Sequence, residues 1–376
     1  MGYIALLKHG HIMKNRLIFI GNSFKQNHAF RAYITRNIIQ AIGFIETQEF
    51  FFHNDLTLLD ELQKRILSEE NIFLVSDKKS FTFVSKLLCS LSDDKLVLKE
   101  QILVPSKSIV ETTSSYLLEI NRAKINVLEA QESQKFPVLL IHNEVKTETL
   151  HFFEEHIKDV IAKLTPLSKQ YSVELSFTQI VEGWVEVKVN ALSHGAVDKF
   201  LHLSQEQFEN KVIIAERVIE HIITTLKAQD LKLTLAESCT GGLLAYYFTS
   251  QAGVSSIFEG SLVTYSNILK EKWLAVEQQT LIDHGAVSQE VVTEMLIGSK
   301  SVANAHFSLA ISGVAGPDGG TLEKPVGTVV IGASSSQGEN VVTYHFNGDR
   351  QYIQEQSALT ALKMLVLSDK KVFFTN

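Results

Sequence analysis

Three side chains in the last third of the chain have types and neighbours suited to chemistry. Ser238 lies in AESCTGG, Lys270 lies in TYSNILK and Arg350 lies in NGDR. A serine hydroxyl at the start of a helix can act as a nucleophile if a base takes its proton, and the helix N–H groups favour an anion or a developing oxyanion. A buried lysine near another cation has a lowered pKa and can be that base, whereas arginine binds phosphate through two hydrogen bonds. These residues predict nucleophilic chemistry beside an anion site.

Each of these residues also has an ordinary structural interpretation. Ser238 is equally suited to capping a helix, Lys270 to a solvated helix face, Tyr265 to strand packing and Arg350 to the start of the last helix. Cys239 is either a small buried residue or a thiolate nucleophile activated by the helix terminus. The segments around Ser238, Lys270 and Arg350 contain no histidine, so a Ser-His-Asp triad is not favoured.

Four loops are predicted to lie at one edge of a C-terminal sheet. The apolar patterns predict strands over residues 231–236, 261–266, 307–312, 326–333 and 341–346, and helices over 212–228, 242–251, 289–303 and 351–367. If the hairpin between residues 333 and 341 reverses the chain twice, the loops at 236–242, 264–270, 312–320 and 347–350 all follow the carboxyl ends of parallel strands. Open α/β sheets bind ligands at that edge.

The rest of the chain is predicted to form two further α/β or α+β domains. Residues 16–21 and 71–76 have the pattern of buried strands, and residues 32–42 and 56–67 that of helices, which indicates a largely parallel sheet. A small α+β module follows, with strands over 136–142, 172–180 and 184–192 and helices over 150–164 and 196–203.

Composition limits the classes of function. A length of 376 residues predicts two or three domains, and a net charge of −7 argues against coating of nucleic acid or of an anionic membrane. Cys89 and Cys239 cannot build a disulfide framework, and the longest apolar runs are too short to span a membrane. We therefore expect a cytoplasmic, multidomain protein with no nucleic-acid or membrane partner.

The C-terminal motifs resemble those of the CinA family. AESCTGG, GVSSIFEGSLVTYSNILK, HGAVS, ISGVAGPDGG, KPVGTV and NGDR follow one another in the order and spacing of that family's C-terminal domain, over about residues 213–376. The resemblance implies an α/β amidohydrolase that converts nicotinamide mononucleotide to nicotinic acid mononucleotide and ammonia, with no metal or cofactor. It also implies a homo-oligomer.

The resemblance implies a role for each matching residue. Ser238 is the expected nucleophile and Lys270 its general base, while Tyr265 and Ser312 assist catalysis, the latter at the oxyanion. The expected substrate-binding residues are Cys239, Thr240, Gly241, Gly242, Ser255, Gly313, Gly316 and Arg350.

The amino-terminal part departs from the family pattern. The resemblance implies a molybdopterin-binding-like domain over residues 13–136 and a KH-like linking domain over 137–212. Gly21-Asn22-Ser23 stands where the family has Gly-Thr-Glu, and residues 77–82 replace a glycine-rich loop, so the backbone cannot cradle a pyrophosphate. We expect this domain to have lost ADP-ribose pyrophosphatase activity. The alternatives are a residual pyrophosphatase, or a nucleotide-binding scaffold or regulator in which chemistry is incidental.

Overall fold

The computed structural model describes residues 14–53, 55–67, 70–132, 134–141, 146–191 and 194–374. The chain divides into two compact units, with the division between residues 146 and 147. Both units are α/β, which confirms the predicted fold class. The predicted boundaries at residues 136/137 and 212/213 remain predictions, and predicted positions 13, 142 and 192 lie outside the described residues. None of the described helices combines the length and the apolar character that a membrane crossing requires.

The first unit is a six-stranded sheet with helices on both faces. Along the chain, its elements are β1 (Asn15–Ile20), α1 (Asn22–Gln26), α2 (His28–Ile42), β2 (Thr47–Phe51), α3 (Leu58–Ile66), β3 (Asn71–Ser76), α4 (Lys78–Ser92), β4 (Leu96–Lys99), β5 (Ile102–Pro105), β6 (Val110–Glu111), β7 (Ser115–Ile120) and β8 (Ala123–Glu129). The sheet order is β2-β1-β3-β8-β7-β6, and its first four strands are parallel. Leu17 and Phe19 pack into the core on one face, and Ile18 and Ile20 into the core on the other, as strand alternation requires.

The second unit begins with a four-stranded sheet covered by two helices. Its elements are β9 (Lys146–Phe153), α5 (Ile157–Tyr171), β10 (Glu174–Val181), β11 (Trp184–Ala191), α6 (His194–Gln207) and β12 (Val212–Ile214). The sheet order is β10-β11-β9-β12, with α5 and α6 packed on one face. Phe153, Val181 and Trp184 belong to the core formed by the chain that follows, so this module shares a core with the next one.

The remainder of the second unit is a three-layer α/β/α arrangement. Its elements are α7 (Val218–Ala228), β13 (Leu233–Glu237), α8 (Leu243–Thr249), β14 (Phe258–Val263), α9 (Asn267–Leu274), α10 (Gln278–His284), α11 (Gln289–Ala303), β15 (Phe307–Gly313), β16 (Thr328–Ser335), β17 (Gly338–His345), α12 (Arg350–Ser368) and α13 (Lys370–Phe373). The sheet order is β14-β13-β15-β16-β17. Helices α7, α8, α12 and α13 pack on one face, and α9, α10 and α11 pack on the other.

Three predicted elements are wrong. Residues 136–141 form no strand, and Phe136, Leu139 and Ile141 instead pack on the core of the first unit. Residues 150–153 belong to β9 rather than to a helix, since Leu150 and Phe152 enter one core and Phe153 another. Leu150, Phe153 and Ile157 are spaced three and four residues apart, so the end of this strand continues the helical apolar pattern of α5.

The third wrong element is the start of the long helix predicted over 212–228. Residues 212–214 pair with β9 as edge strand β12, and α7 begins only at Val218. Around the predicted site, β14 ends at Val263, so residues 264–266 are a loop rather than part of a strand. The last hairpin is also tighter than predicted, because β16 continues to Ser335 and β17 already begins at Gly338.

Candidate active site

The topology of the C-terminal sheet brings the four predicted loops to one edge. Strands β13, β14 and β15 are parallel, whereas β16 is antiparallel to both β15 and β17. Strand β17 therefore runs in the same direction as β15, through the double reversal that the sequence predicted. The loops that follow β13, β14, β15 and β17 all leave the carboxyl-terminal edge, where α/β sheets bind ligands.

Ser238 and Lys270 are in direct contact at this edge. Lys270 Nζ lies 3.0 Å from Ser238 Oγ and donates a second hydrogen bond of 2.7 Å to the Thr264 carbonyl oxygen. Lys270 is 1% exposed and Ser238 is 8% exposed. A lysine ammonium is rarely so buried without a carboxylate partner, and here its contacts are a hydroxyl and a carbonyl. The structure thus brings together the two residues expected to be nucleophile and base.

Burial lowers the pKa of Lys270 and so makes its neutral, basic form more accessible. Desolvation lowers the pKa of Lys270 from 10.5 to about 8, because the charged ammonium loses hydration. The sequence suggested that Arg350 helps to lower this pKa, but the cause is burial. The Arg350 guanidinium instead donates to the Tyr265 hydroxyl at 3.0 Å and to the Gly316 carbonyl at 2.7 Å.

Cys239 is a buried thiol rather than an activated nucleophile. Its side chain is 5% exposed, and burial raises the pKa of the thiol to about 12. A reactive cysteine needs a lowered pKa, because the thiolate is the attacking species. Of the two interpretations open at this position, the structure favours the small buried residue.

Glu237 is a site residue that the sequence analysis missed. Its carboxylate is fully buried beside Ser238 and accepts five hydrogen bonds. The donors, at 2.8–3.1 Å, are the hydroxyls of Thr240 and Ser261 and the N–H groups of Gly242, Leu244 and Ala245. The carboxylate therefore caps α8 from within and fixes the turn that carries the nucleophile. A charged residue at the end of the apolar strand LTLAE was the available signal.

Glu237 changes the expected oxyanion donors. The Gly242 N–H is bound to Glu237, and the Gly241 N–H donates to the Ser238 carbonyl at 3.1 Å. These two groups are already used, contrary to the expectation of a helix terminus open to an anion. In the described part of the chain, the N–H groups of Cys239 and Thr240 have no acceptor in another residue. Gly241 and Gly242 serve the turn itself, since both adopt positive φ angles of 62° and 98°.

Ser312 lies beside Ser238, but its hydroxyl is already committed. In the parallel register Glu237 pairs with Ile311, and the Ser238 N–H donates to the Ile311 carbonyl, so Ser312 is the neighbour of Ser238. The Ser312 hydroxyl is 1% exposed and donates to the Ala286 carbonyl at 2.7 Å. A hydroxyl has one proton, so donation to an oxyanion would require this bond to break. The expected oxyanion role of Ser312 stays a prediction.

Tyr265 and Arg350 form the exposed rim of the site. Tyr265 is 61% exposed, and Arg350 lies at the first position of α12, after the capping residue Asp349. Gly313 and Gly316 have packing reasons to be glycine, since a Cβ would lie 2.8 Å and 2.5 Å from the side chains of Val329 and Val326 respectively. Their expected contact with substrate remains a prediction.

Ser255 is not at the site within one chain. It is exposed in the short helical turn of residues 254–256, which precedes β14, whereas the Ser238 loop lies beyond the carboxyl ends of the parallel strands. Six residues of β14 span roughly 20 Å, so Ser255 lies at the opposite edge of the sheet from Ser238. Ser255 therefore does not line the Ser238 site of its own chain, and its expected contact with substrate stays a prediction.

Gln354 is a second residue that the sequence analysis missed. Its side-chain amide reaches from α12 and donates to the Cys239 carbonyl at 2.7 Å. It follows Arg350 by one helical turn, so both side chains leave the same face of α12. This spacing was the only available signal.

The first unit has a cavity at the equivalent edge of its own sheet. The cavity of about 660 Å³ is lined by ten residues from the loops and helices that follow β1, β2, β3 and β8, including Ser23, His53 and Lys78. Asp77, one of the lining residues, accepts a hydrogen bond from the Ser80 N–H and so places a carboxylate at the N-terminus of α4. No cluster of three or more His, Cys, Asp or Glu side chains suited to a metal occurs in the described ranges.

The chain is similar to proteins of one family. The family model for the CinA C-terminal domain matches residues 215–368. A CinA-like protein of Thermotoga neapolitana is 31% identical over 81% of this chain and 77% of its own length. Nicotinamide-nucleotide amidohydrolase PncC of Escherichia coli is 46% identical over 39% of this chain and 89% of its own length. A CinA-like protein of Fervidobacterium nodosum is 39% identical over 54% of this chain, which spans about half (47%) of that relative.

Proposed function

The chain belongs to the CinA family, and we propose that it hydrolyses the carboxamide of nicotinamide mononucleotide to nicotinic acid mononucleotide and ammonia. The observation that carries the proposal is the hydrogen bond between the buried Lys270 amine and the Ser238 hydroxyl, a base and a nucleophile at the ligand-binding edge of the sheet. The family model covers every residue of this arrangement, and an enzyme named for this reaction is 46% identical over 147 residues.

The proposed reaction begins with proton transfer from Ser238 to neutral Lys270. The Ser238 oxygen attacks the carboxamide carbon, and the N–H groups of Cys239 and Thr240 stabilise the oxyanion, each worth roughly 3–4 kcal/mol in well-studied hydrolases. The C–N bond then breaks as Lys270 returns the proton to the departing nitrogen, which leaves as ammonia. Water attacks the resulting ester, giving up a proton to Lys270, and the carboxylate product leaves as Ser238 regains its proton.

Arg350 and Tyr265 are proposed to bind the nucleotide part of the substrate. Both side chains are exposed at the rim, and the Arg350 guanidinium can turn from the Tyr265 hydroxyl to a phosphate. A phosphate is the stronger acceptor, because it is charged and accepts two hydrogen bonds from the guanidinium. A net charge of −7 is compatible with binding of a single phosphate through a few positioned side chains, rather than through a broad basic surface.

The first unit is proposed to keep a molybdopterin-binding-like core without pyrophosphatase activity. The support is Asp77, whose carboxylate occupies the helix N-terminus that a phosphate would need. Cleavage of ADP-ribose by the purified protein would revive the residual pyrophosphatase.

A homo-oligomer is proposed because Ser255 can reach the site only from a second copy. The protein is also proposed to work in the cytoplasm, in keeping with two free, buried cysteines among the described residues.

The experiment that tests the substrate compares ammonia release from nicotinamide mononucleotide with release from free nicotinamide. We expect ammonia and nicotinic acid mononucleotide in equal amounts from the mononucleotide, and little turnover of nicotinamide, which lacks the phosphate. Absence of ammonia from the wild-type protein, with the nucleotide still bound in calorimetry, would favour the scaffold or regulator.

A further inference from the structure

Two peptide groups in the turn after β13 have their carbonyl oxygens held in place. The Ser238 carbonyl accepts from the Gly241 N–H at 3.1 Å, and the Cys239 carbonyl accepts from the Gln354 amide at 2.7 Å. In a planar trans peptide, the N–H of the next residue points opposite to the carbonyl. The first bond therefore sets the direction of the Cys239 N–H, and the second sets the direction of the Thr240 N–H.

The two bonds differ in origin. The bond to the Ser238 carbonyl forms within the turn itself, whereas the bond to the Cys239 carbonyl comes from α12, more than a hundred residues along the chain. The same face of α12 carries Arg350, which contacts Tyr265 and the Gly316 carbonyl. This helix face therefore connects the turn that carries Ser238, residues 238–242, to the loops that follow β14 and β15.

We propose that Gln354 is a positioning residue that aims the Thr240 N–H at the oxyanion. The inference rests on the proposed function and adds a residue to it. The Gly241 and Gly242 N–H groups are bound elsewhere and cannot replace the Thr240 N–H if its peptide rotates. Since an oxyanion exists only after attack, loss of the Gln354 bond lowers the rate of the chemical step and leaves substrate binding intact.

The test uses the full-length chain with Gln354→Glu, which keeps the size of the side chain but replaces the donor with a carboxylate. Gln354→Met removes the donor without adding charge. Gln356→Glu is the matched control, because it makes the same exchange two residues along α12 on another helix face. Each variant is assayed for kcat, KM and pH midpoint with nicotinamide mononucleotide, and for the rate at which a fluorophosphonate probe labels Ser238.

We expect both Gln354 variants to lose about tenfold or more in kcat, with KM, pH midpoint and melting temperature close to those of Gln356→Glu. Labelling by the probe falls in parallel, because its phosphonyl oxygen needs the same donors when fluoride is displaced. A rise in KM with kcat unchanged, a shifted pH midpoint, or kcat and labelling equal to the control would overturn the proposal.

The probe separates this inference from the proposed substrate. If the wild-type protein releases no ammonia but Ser238 is labelled, the amidohydrolase assignment fails, and the labelling ratio between Gln354→Glu and Gln356→Glu decides the role of Gln354. If Ser238 is not labelled in the wild-type protein, the inference fails as well.

Discussion

Burial, rather than a neighbouring cation, suits Lys270 to be a base. The side chain is almost fully buried, its partners are the Ser238 hydroxyl and the Thr264 carbonyl, and its pKa falls to about 8. The ordinary lysine pKa would leave the side chain charged at neutral pH and unable to accept a proton.

The pH dependence of kcat/KM follows from this pKa. The active form is neutral Lys270, so we expect activity to be low at pH 6 and to rise with pH through a midpoint of about 8. The midpoint is measured from kcat/KM with nicotinamide mononucleotide between pH 6 and 10. A profile that falls over this range, or a midpoint near the usual lysine value, would contradict Lys270 as the base.

The sequence motifs pointed to the proposed reacting pair but not to the residues that hold it. Ser238 and Lys270 carry recognisable chemistry in short motifs, whereas Glu237 and Gln354 act by accepting from or donating to backbone groups. Such hydrogen bonds depend on the fold and leave no periodic pattern in the sequence. The same reason explains why Gly241 and Gly242 were expected to bind an anion: only the structure shows that their N–H groups are bound.

Helix α9 is held against the sheet by its contact with α11. Gly298 of α11 faces the backbone of Leu274 at the end of α9, where an added Cβ would lie 1.9 Å from the carbonyl oxygen. Lys270 lies one turn earlier on α9, so the absence of a side chain at Gly298 affects the position of Lys270, the proposed base.

Gly298→Ala is therefore expected to destabilise the protein by about 1–3 kcal/mol and to lower kcat, because α9 must move away from α11. The matched control is Gly195→Ala, since a Cβ at Gly195 in α6 meets no atom within 4 Å. Denaturant unfolding and ammonia release measure the two effects. Equal stability of the two variants would show that α9 and α11 can separate at no cost.

Strands and loops were predictable where a short apolar run ends at polar residues or glycine. Strand β3 has the predicted bounds, and the site loops follow the expected strands. Strand β9 was mistaken for a helix because Leu150 and Phe153 are in helical spacing with Ile157 of α5, and β12 because three residues are too few to show a period.

The assembly of two copies would reconcile the family resemblance with the position of Ser255. Within one chain, Ser255 precedes β14 and lies near the amino-terminal ends of the parallel strands, whereas Ser238 follows their carboxyl-terminal ends. Strand β14 is also an outermost strand of this sheet. A homo-oligomer in which Ser255 completes a neighbouring site makes the two serines complementary between chains.

Co-expression of Ser238→Ala chains with Ser255→Ala chains tests this arrangement. Each variant alone is expected to be poorly active. A mixed population of dimers is expected to recover about a quarter of wild-type activity, because half the dimers are mixed and each has one complete site. Ammonia release and the measured mass in solution report the result. Full activity of Ser255→Ala alone, or a monomer, would contradict the shared site.

Ammonia release from nicotinamide mononucleotide by three alanine variants is the measurement that decides whether Ser238 and Lys270 hydrolyse the amide. Ser238→Ala and Lys270→Ala are each expected to lose about a thousandfold or more in kcat, whereas Cys239→Ala, which removes a buried protonated thiol, retains most activity. Full activity of either of the first two variants, or loss confined to Cys239→Ala, would contradict the account.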